Sequence, residues 1–134
     1  MITFKYKEES LGVGRGTIRR PVADVFLKTQ SGDYIEFHPY IDSGADLTMI
    51  PLSLGRLVGL HLDERQMEQI GGIKGCVPII QTKCQMQIGQ EELKVKIAWA
   101  LIEDVPPLLG RADVFDTFNV TFKQSDGLVY FQKH

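Results

Sequence analysis

Apolar and polar residues alternate with a period of two along most of this chain, which predicts strands rather than helices. In "PVADVFLKT", Ala23, Val25 and Leu27 share one face. "QSGD" turns the chain, and "YIEFHPYID" then sets Ile35, Phe37 and Ile41 against Glu36 and His38. This predicts a hairpin running into "DSGADLTMIP", with Pro39 marking a bend or an edge. A second hairpin is predicted where "CQMQI" alternates Cys84, Met86 and Ile88 against glutamines, "GQEE" turns, and "LKVKIAWAL" alternates Leu93, Val95, Ile97, Trp99 and Leu101 against lysines and alanines. "NVTF" and "LVYF", separated by "KQSDG", predict a closing hairpin. Helical signals are short. "PLSLGRLVGL" starts at Pro51 and ends near Gly59, and "RADVFDTF" after Gly110 predicts about two turns. With no linker, repeat or low-complexity segment, the pattern predicts one mainly β domain with two short helices.

A chain of 134 residues suits one domain able to bury a core without metal or disulfide support. Its apolar content of 43% and charged content of 24% are those of a soluble globular protein. A formal net charge of −2 gives no reason to expect a nucleic-acid or anionic-membrane partner. "MITFKYKEES" has no long apolar region of the signal-peptide kind, and no apolar run reaches membrane-spanning length. The two cysteines, Cys76 and Cys84, form neither a disulfide framework nor a zinc pattern, so a cytoplasmic setting is expected. They read as packed thiols, and His38, His61 and His134 as surface or strand-face residues with no ligand spacing, so no metal site is expected. Trp99 reads as core. "GVGRG", Gly12 to Gly16, lacks the Lys-Ser/Thr and the helix start of a phosphate loop, and reads as a flexible connection between two β segments.

Candidate chemistry concentrates in "YIDSGADLTMIP". Asp-Ser-Gly on a surface is ordinarily a turn. Here Ile41 precedes it and "LTMI" follows, which places the loop between buried strands. A carboxylate in that position needs hydrogen bonds or a partner. Ser43 can orient it, and Gly44 lets backbone N–H groups approach. Two further segments bear on the choice between turn and catalytic loop. "QIGGIKGCVPI" clusters Gly71, Gly72 and Gly75 between β-like arms, as in a mobile hairpin or an ordinary glycine-rich turn. "PPLLGRADVF" places an apolar pair and Gly-Arg before a helix, as a strand-to-helix connection would.

Together and in this order, these segments resemble the retropepsin family, the dimeric aspartic proteases of retroviruses and their cellular relatives. The family's Asp-Thr/Ser-Gly-Ala loop matches Asp42, Ser43, Gly44 and Ala45. Its glycine-rich flap looks like "IGGIKG", and its apolar-apolar-Gly-Arg segment matches Leu108, Leu109, Gly110 and Arg111. "RPVADVFLK" looks like its first core strand, with Arg20-Pro21 at the start. The resemblance spans roughly Arg20 to Phe118 and implies an all-β fold, a retropepsin-like β-barrel with a glycine-rich flap and one or two short helices. It implies a cofactor-free aspartic endopeptidase in which Asp42, from each of two chains of a homodimer, activates water against a peptide substrate. The chain carries Asp-Ser-Gly once, so the second carboxylate has to come from a second copy.

Position by position, the resemblance implies that Ser43 braces the two active-site loops and that Asp46 contacts substrate backbone. It implies that Asp46, Arg111 and Arg20 form a network reaching the partner subunit. Gly71, Gly72 and Ile73 would close over the substrate, with Ala45 and Gly72 leaving room for an extended peptide. Several features depart from the family. Met1 to Arg19 is a longer N-terminal segment, and "TFKQSDGLVYFQKH" a longer tail. Retropepsin dimers are held largely by their termini, so these departures bear on the interface. "IPLSLGRLVGLHL" suggests a helix where compact viral enzymes have a loop, and Lys74 puts a charge in the flap. Competing expectations are a non-catalytic peptide-binding or assembly module on the same fold, and a subunit of a larger complex.

Overall fold

The computed structural model of the chain describes residues 1–72 and 75–134. The first strands, β1 (Ile2–Lys5), β2 (Lys7–Ser10) and β3 (Thr17–Arg20), are followed by β4 (Val25–Lys28) and β5 (Tyr34–Phe37). Next come β6 (Tyr40–Ile41), β7 (Thr48–Ile50) and helix α1 (Leu52–Val58). The long hairpin region is β8 (Met67–Gly72), β9 (Gly75–Ile88) and β10 (Glu91–Ala100). The chain closes with β11 (Leu108–Leu109), helix α2 (Val114–Thr117), β12 (Phe118–Lys123) and β13 (Leu128–Lys133).

The main sheet curls into a half-barrel with strand order β5-β4-β9-β10-β7-β11-β6, and β8 pairs with β9. All three expected hairpins form: Val25 pairs with Phe37 across β4–β5, Val95 with Cys84 across β9–β10, and Val120 with Phe131 across β12–β13. Ala23, Val25 and Leu27 are fully buried, as are Met86, Val95 and Ile97. Towards its end β10 is buried on both faces, because Ala98 and Ala100 are covered as completely as Trp99. Pro39 sits in a break between β5 and β6, where a missing N–H costs the ladder nothing.

α1 begins directly after Pro51 and ends on Gly59, whose φ of 104° is the left-handed cap conformation. It packs on Trp99, whose indole N–H donates to the Leu52 carbonyl at 3.1 Å. Gly55 makes this approach possible, since a Cβ there would overlap the indole ring. α2 is shorter than the expected two turns. It spans only Val114–Thr117, because Phe118 already enters β12 in an extended conformation. Among the described residues, no helix is long and apolar enough to cross a membrane.

The first twenty residues are strand-rich. β1 pairs with β13, giving a separate three-stranded sheet of order β1-β13-β12. β2 and β3 form a two-stranded hairpin. The "GVGRG" segment does join two β segments, but as a bonded turn rather than a slack connection. Leu11 N–H donates to Gly16 O at 2.9 Å and Arg15 N–H to Gly12 O at 3.1 Å. Positive φ at Gly12, Gly14 and Gly16 lets the backbone close so tightly.

Candidate active site

Asp42 follows β6 at once, and that two-residue strand is held on both sides. Ile41 N–H donates to Pro21 O at 2.9 Å, Tyr40 N–H to Pro107 O at 3.0 Å, and Asp42 N–H to Leu109 O at 3.0 Å. β11 lies between β6, to which it is parallel, and β7, to which it is antiparallel. The Asp42–Leu47 loop therefore joins two strands that clasp the same segment, Leu108–Leu109. The apolar-to-Gly-Arg motif supplies that segment, so two motifs far apart in sequence form one structural unit.

Within the loop, Gly44 N–H donates to Asp42 Oδ1 at 2.9 Å and Ala45 N–H to Asp42 O at 3.2 Å. These bonds hold the half-buried carboxylate in one orientation. Beyond Leu109 the chain runs along the loop's second half. Arg111 N–H donates to Ala45 O at 2.9 Å and Ala112 N–H to Asp46 O at 3.0 Å. Gly110 N–H donates to Thr48 Oγ1 at 3.1 Å, and Thr48 is fully buried. The Arg111 guanidinium donates to Asp46 Oδ1, with both side chains largely exposed. Ser43 is exposed too, and among the described residues its hydroxyl makes no hydrogen bond.

Two cavities flank the loop. One, of about 470 Å³, is lined by Asp42, Glu9, Arg20, Pro21, Tyr40 and Leu108 among others. The other, of about 390 Å³, is more apolar and includes Ala45, Asp46, Met49, Ile70, Ala98 and Leu108. Ile70 comes from β8, so the β8–β9 hairpin borders the same space as the Asp42 loop. In that hairpin Gly71 pairs with Cys76 and Gly72 with Gly75, while Gly71 has open space around it. Ile73 and Lys74, expected at the flap tip, lie outside the described residues. A third cavity, of about 450 Å³, lies between the three-stranded sheet and the β9–β10 turn, lined by Ile2, Gly89, Phe118 and Phe131, away from Asp42.

Arg20 lies on the Asp42 cavity, apart from the Asp46–Arg111 pair of its own chain. Its Nε is 3.4 Å from Glu9 Oε2, and its guanidinium lies 5.8 Å from the centre of the Tyr40 ring. Tyr40 Oη donates to Glu9 Oε1 at 2.6 Å, and that bond raises the phenol's pKa. Sequence reasoning missed Glu9, Tyr40 and Thr48. Glu9 belongs to the β2–β3 hairpin, outside the motifs, and carries no local signal. Thr48 had one, as a hydroxyl within the apolar "LTMI" run.

Two groups of side chains lie outside this arrangement. His38 Nδ1 is 2.7 Å from Asp24 Oδ1, and its Nε2 is 3.7 Å from Glu36. Lys7 reaches the same Asp24 oxygen at 3.2 Å. Burial pushes the Asp24 pKa up, but hydrogen bonds from His38 and Lys7 outweigh it and leave the carboxyl below its ordinary value. Lys7–Asp24 is a surface ion pair, and His38 lies beside it between Asp24 and Glu36. Cys84 is buried, which pushes its thiol up to about 11, whereas Cys76 is exposed. At neutral pH, iodoacetamide should therefore alkylate the folded protein once, at Cys76, and reach Cys84 only after unfolding. Mass spectrometry of the labelled chain checks this, and rapid labelling of Cys84 in the native state would contradict it.

No protein-family model and no curated protein sequence matches the chain. Solved structures do match. The EIAV protease complexed with the inhibitor HBY-793 superposes with a TM-score of 0.54, at 19% identity, over 77% of this chain and 88% of that one. At that identity the likeness speaks to architecture alone, and the architecture it establishes is a retropepsin-like fold.

Proposed function

We propose that two copies of this chain form an aspartic endopeptidase. The observation that carries the reading is the Asp42 loop. It is clasped around Leu108–Leu109, its carboxylate is oriented by Gly44 N–H, and it sits between two cavities, one bordered by the β8–β9 hairpin.

In this reading a twofold axis brings the two Asp42 carboxylates together. Like charges at such short range do not both ionise readily, so the pair holds one proton between them. The ionised member takes a proton from water as that water attacks the scissile carbonyl. The protonated member donates to the carbonyl oxygen, giving a tetrahedral diol. The carboxyl that took the water's proton then passes it to the nitrogen, and the C–N bond breaks to release the amine while the other carboxylate takes a proton back from the diol. The apparent pKa values belong to the pair. In the same reading the exposed hydroxyl of Ser43 would brace the partner's loop. Arg20 borders one of the two cavities and Asp46, paired with Arg111, the other, and both would face the peptide or the second copy. An extended peptide would occupy the two cavities, with Gly71, Gly72 and Ile73 closing above it.

The experiment is hydrolysis of a peptide library by the purified protein between about pH 4 and 7, the range in which a proton-sharing pair works. A bell-shaped profile is expected, falling on the alkaline side as the shared proton is lost. Absence of cleavage across this range, with the protein dimeric, would instead favour a peptide-binding module on the same fold.

A further inference from the structure

A substrate side chain beside the scissile bond would enter the cavity that Asp42 itself lines, and part of that cavity's lining comes from outside the motifs. We propose that Glu9, on the β2–β3 hairpin, is a specificity-determining residue of this cavity. By neutralising Arg20 it makes the cavity take a large uncharged side chain, aromatic above all, and refuse acidic and basic ones. This rests on the peptide-cleaving reading of the site and adds the class of side chain accepted.

β2 and β3 are exposed at every position except Glu9, which is half-buried. Their ladder sets Lys7 opposite Arg20 and Glu9 opposite Ile18, so Glu9 and Arg20 are diagonal neighbours on one face of the hairpin. That face meets β6. Tyr40, two residues before Asp42, donates its hydroxyl to Glu9 at 2.6 Å from Oε1 and 3.0 Å from Oε2. Arg20 Nε lies 3.4 Å from the same Oε2. Arg20 uses Nε for this pair, which leaves its terminal nitrogens without a partner among the described residues. Lys7, the other cation on this face, is held by Asp24 at 3.2 Å and does not line the cavity.

Apart from Glu9, Arg20 and Asp42, the lining is apolar or aromatic: Pro21, Ile41, Pro106, Leu108 and Tyr40. At about 470 Å³ the cavity has room for a large side chain. A charged tip gains little there. An ammonium meets a carboxylate that Arg20 already neutralises, and a carboxylate meets a guanidinium that Glu9 already neutralises, so either sheds water without full compensation. An aromatic ring sheds little bound water and covers the apolar lining. A tyrosine hydroxyl can also accept from a terminal Arg20 nitrogen.

Removing either charge leaves the other alone beside the substrate. In Glu9→Gln the amide oxygen still accepts the Tyr40 hydroxyl, but Arg20 becomes an uncompensated cation that favours an acidic side chain. In Arg20→Gln the uncompensated group is the Glu9 carboxylate, which favours a basic one. Both charges come from one hairpin of one chain, so this selectivity is built without a group from the second copy.

Competitive capture tests this. Immobilised Asp42→Asn protein, which keeps the loop without turning peptides over, is offered an equimolar mixture of end-blocked octapeptide pools. The pools are uncharged except where one central position is fixed as Phe, Tyr, Glu or Lys, and mass spectrometry reads what is retained. The Phe and Tyr pools should be enriched about 10-fold over the Glu and Lys pools. Adding Glu9→Gln should raise the Glu-to-Phe ratio about 10-fold and lower the Lys-to-Phe ratio, and adding Arg20→Gln should do the reverse. A Glu9 that only anchored the hairpin would weaken all pools alike, so unchanged ratios in both variants would overturn the proposal. So would equal capture of the four pools by the parent protein, or capture of none. Selective capture with no hydrolysis by the wild type upholds the role of Glu9 and sinks the catalytic reading. Wild-type hydrolysis that runs equally well through the Phe, Glu and Lys pools upholds the catalytic reading and sinks this one.

Discussion

Asp42→Asn should lower peptide hydrolysis by about 10²–10⁴-fold, the scale of lost general acid–base catalysis, with no change in fold. The substitution is nearly isosteric. The asparagine carbonyl oxygen can still accept the Gly44 N–H that now binds Asp42 Oδ1 at 2.9 Å. Asp42 N–H to Leu109 O is a backbone bond and survives the change. What disappears is the capacity to hold or surrender a proton, which an amide lacks at these pH values. Thermal stability should stay within about 0.5 kcal/mol of wild type, because the near-isosteric side chain keeps its hydrogen bond and its volume. Melting curves and initial rates on one preparation check both halves. Equal rates in the two proteins would remove the catalytic role of Asp42.

Gly110→Ala should have a large effect on stability, about 3 kcal/mol or more, because the conflict is with backbone rather than with a movable side-chain end. An added Cβ would lie 2.8 Å from the Thr48 nitrogen and closer still to the Leu47 carbonyl group. Neither neighbour is the free end of a side chain, so relief requires β11 to move away from β7. That movement would stretch the Gly110 N–H bond to the buried Thr48 hydroxyl and the Arg111 and Ala112 bonds to the Asp42 loop. A melting temperature lower by about 10 °C is expected, with activity falling further than stability alone dictates. Gly71→Ala is the control, since nothing lies within 4 Å of a Cβ at Gly71. If Gly110→Ala melts like wild type, the clasp is looser than its geometry indicates.

Much of this was legible in the chain, for identifiable reasons. Alternation in "CQMQI" and "LKVKIAWAL" reported a sheet with one buried face, and β9 and β10 pair as that alternation requires. Pro51 and Gly59 bounded α1 because cap geometry is a local property. The Asp42 loop was legible as chemistry, since Asp-Ser-Gly between apolar runs leaves a carboxylate to be satisfied. Its clasp on Leu108–Leu109 was not, because pairing between residues so far apart has no local signature. The same holds for β1. "ITFK" alternates weakly, and only its partner β13 shows that the chain's start completes a sheet at its end. Glu9 reached the Asp42 cavity through a hairpin whose glycine-rich turn resembled slack chain. α2 came out short because "RADVFDTF" has a helical pattern, yet Phe118 is claimed by the three-stranded sheet, where it packs on Phe131.

The most direct measurement mixes wild type with Asp42→Asn at constant total protein, lets subunits exchange, and follows the hydrolysis rate. If one site needs Asp42 from both copies, only fully wild-type dimers are active, and an equal mixture should retain about one quarter of the wild-type rate. A rate that falls only to about one half, in proportion to the wild-type chains present, would show each chain acting alone and would contradict a shared pair of carboxylates.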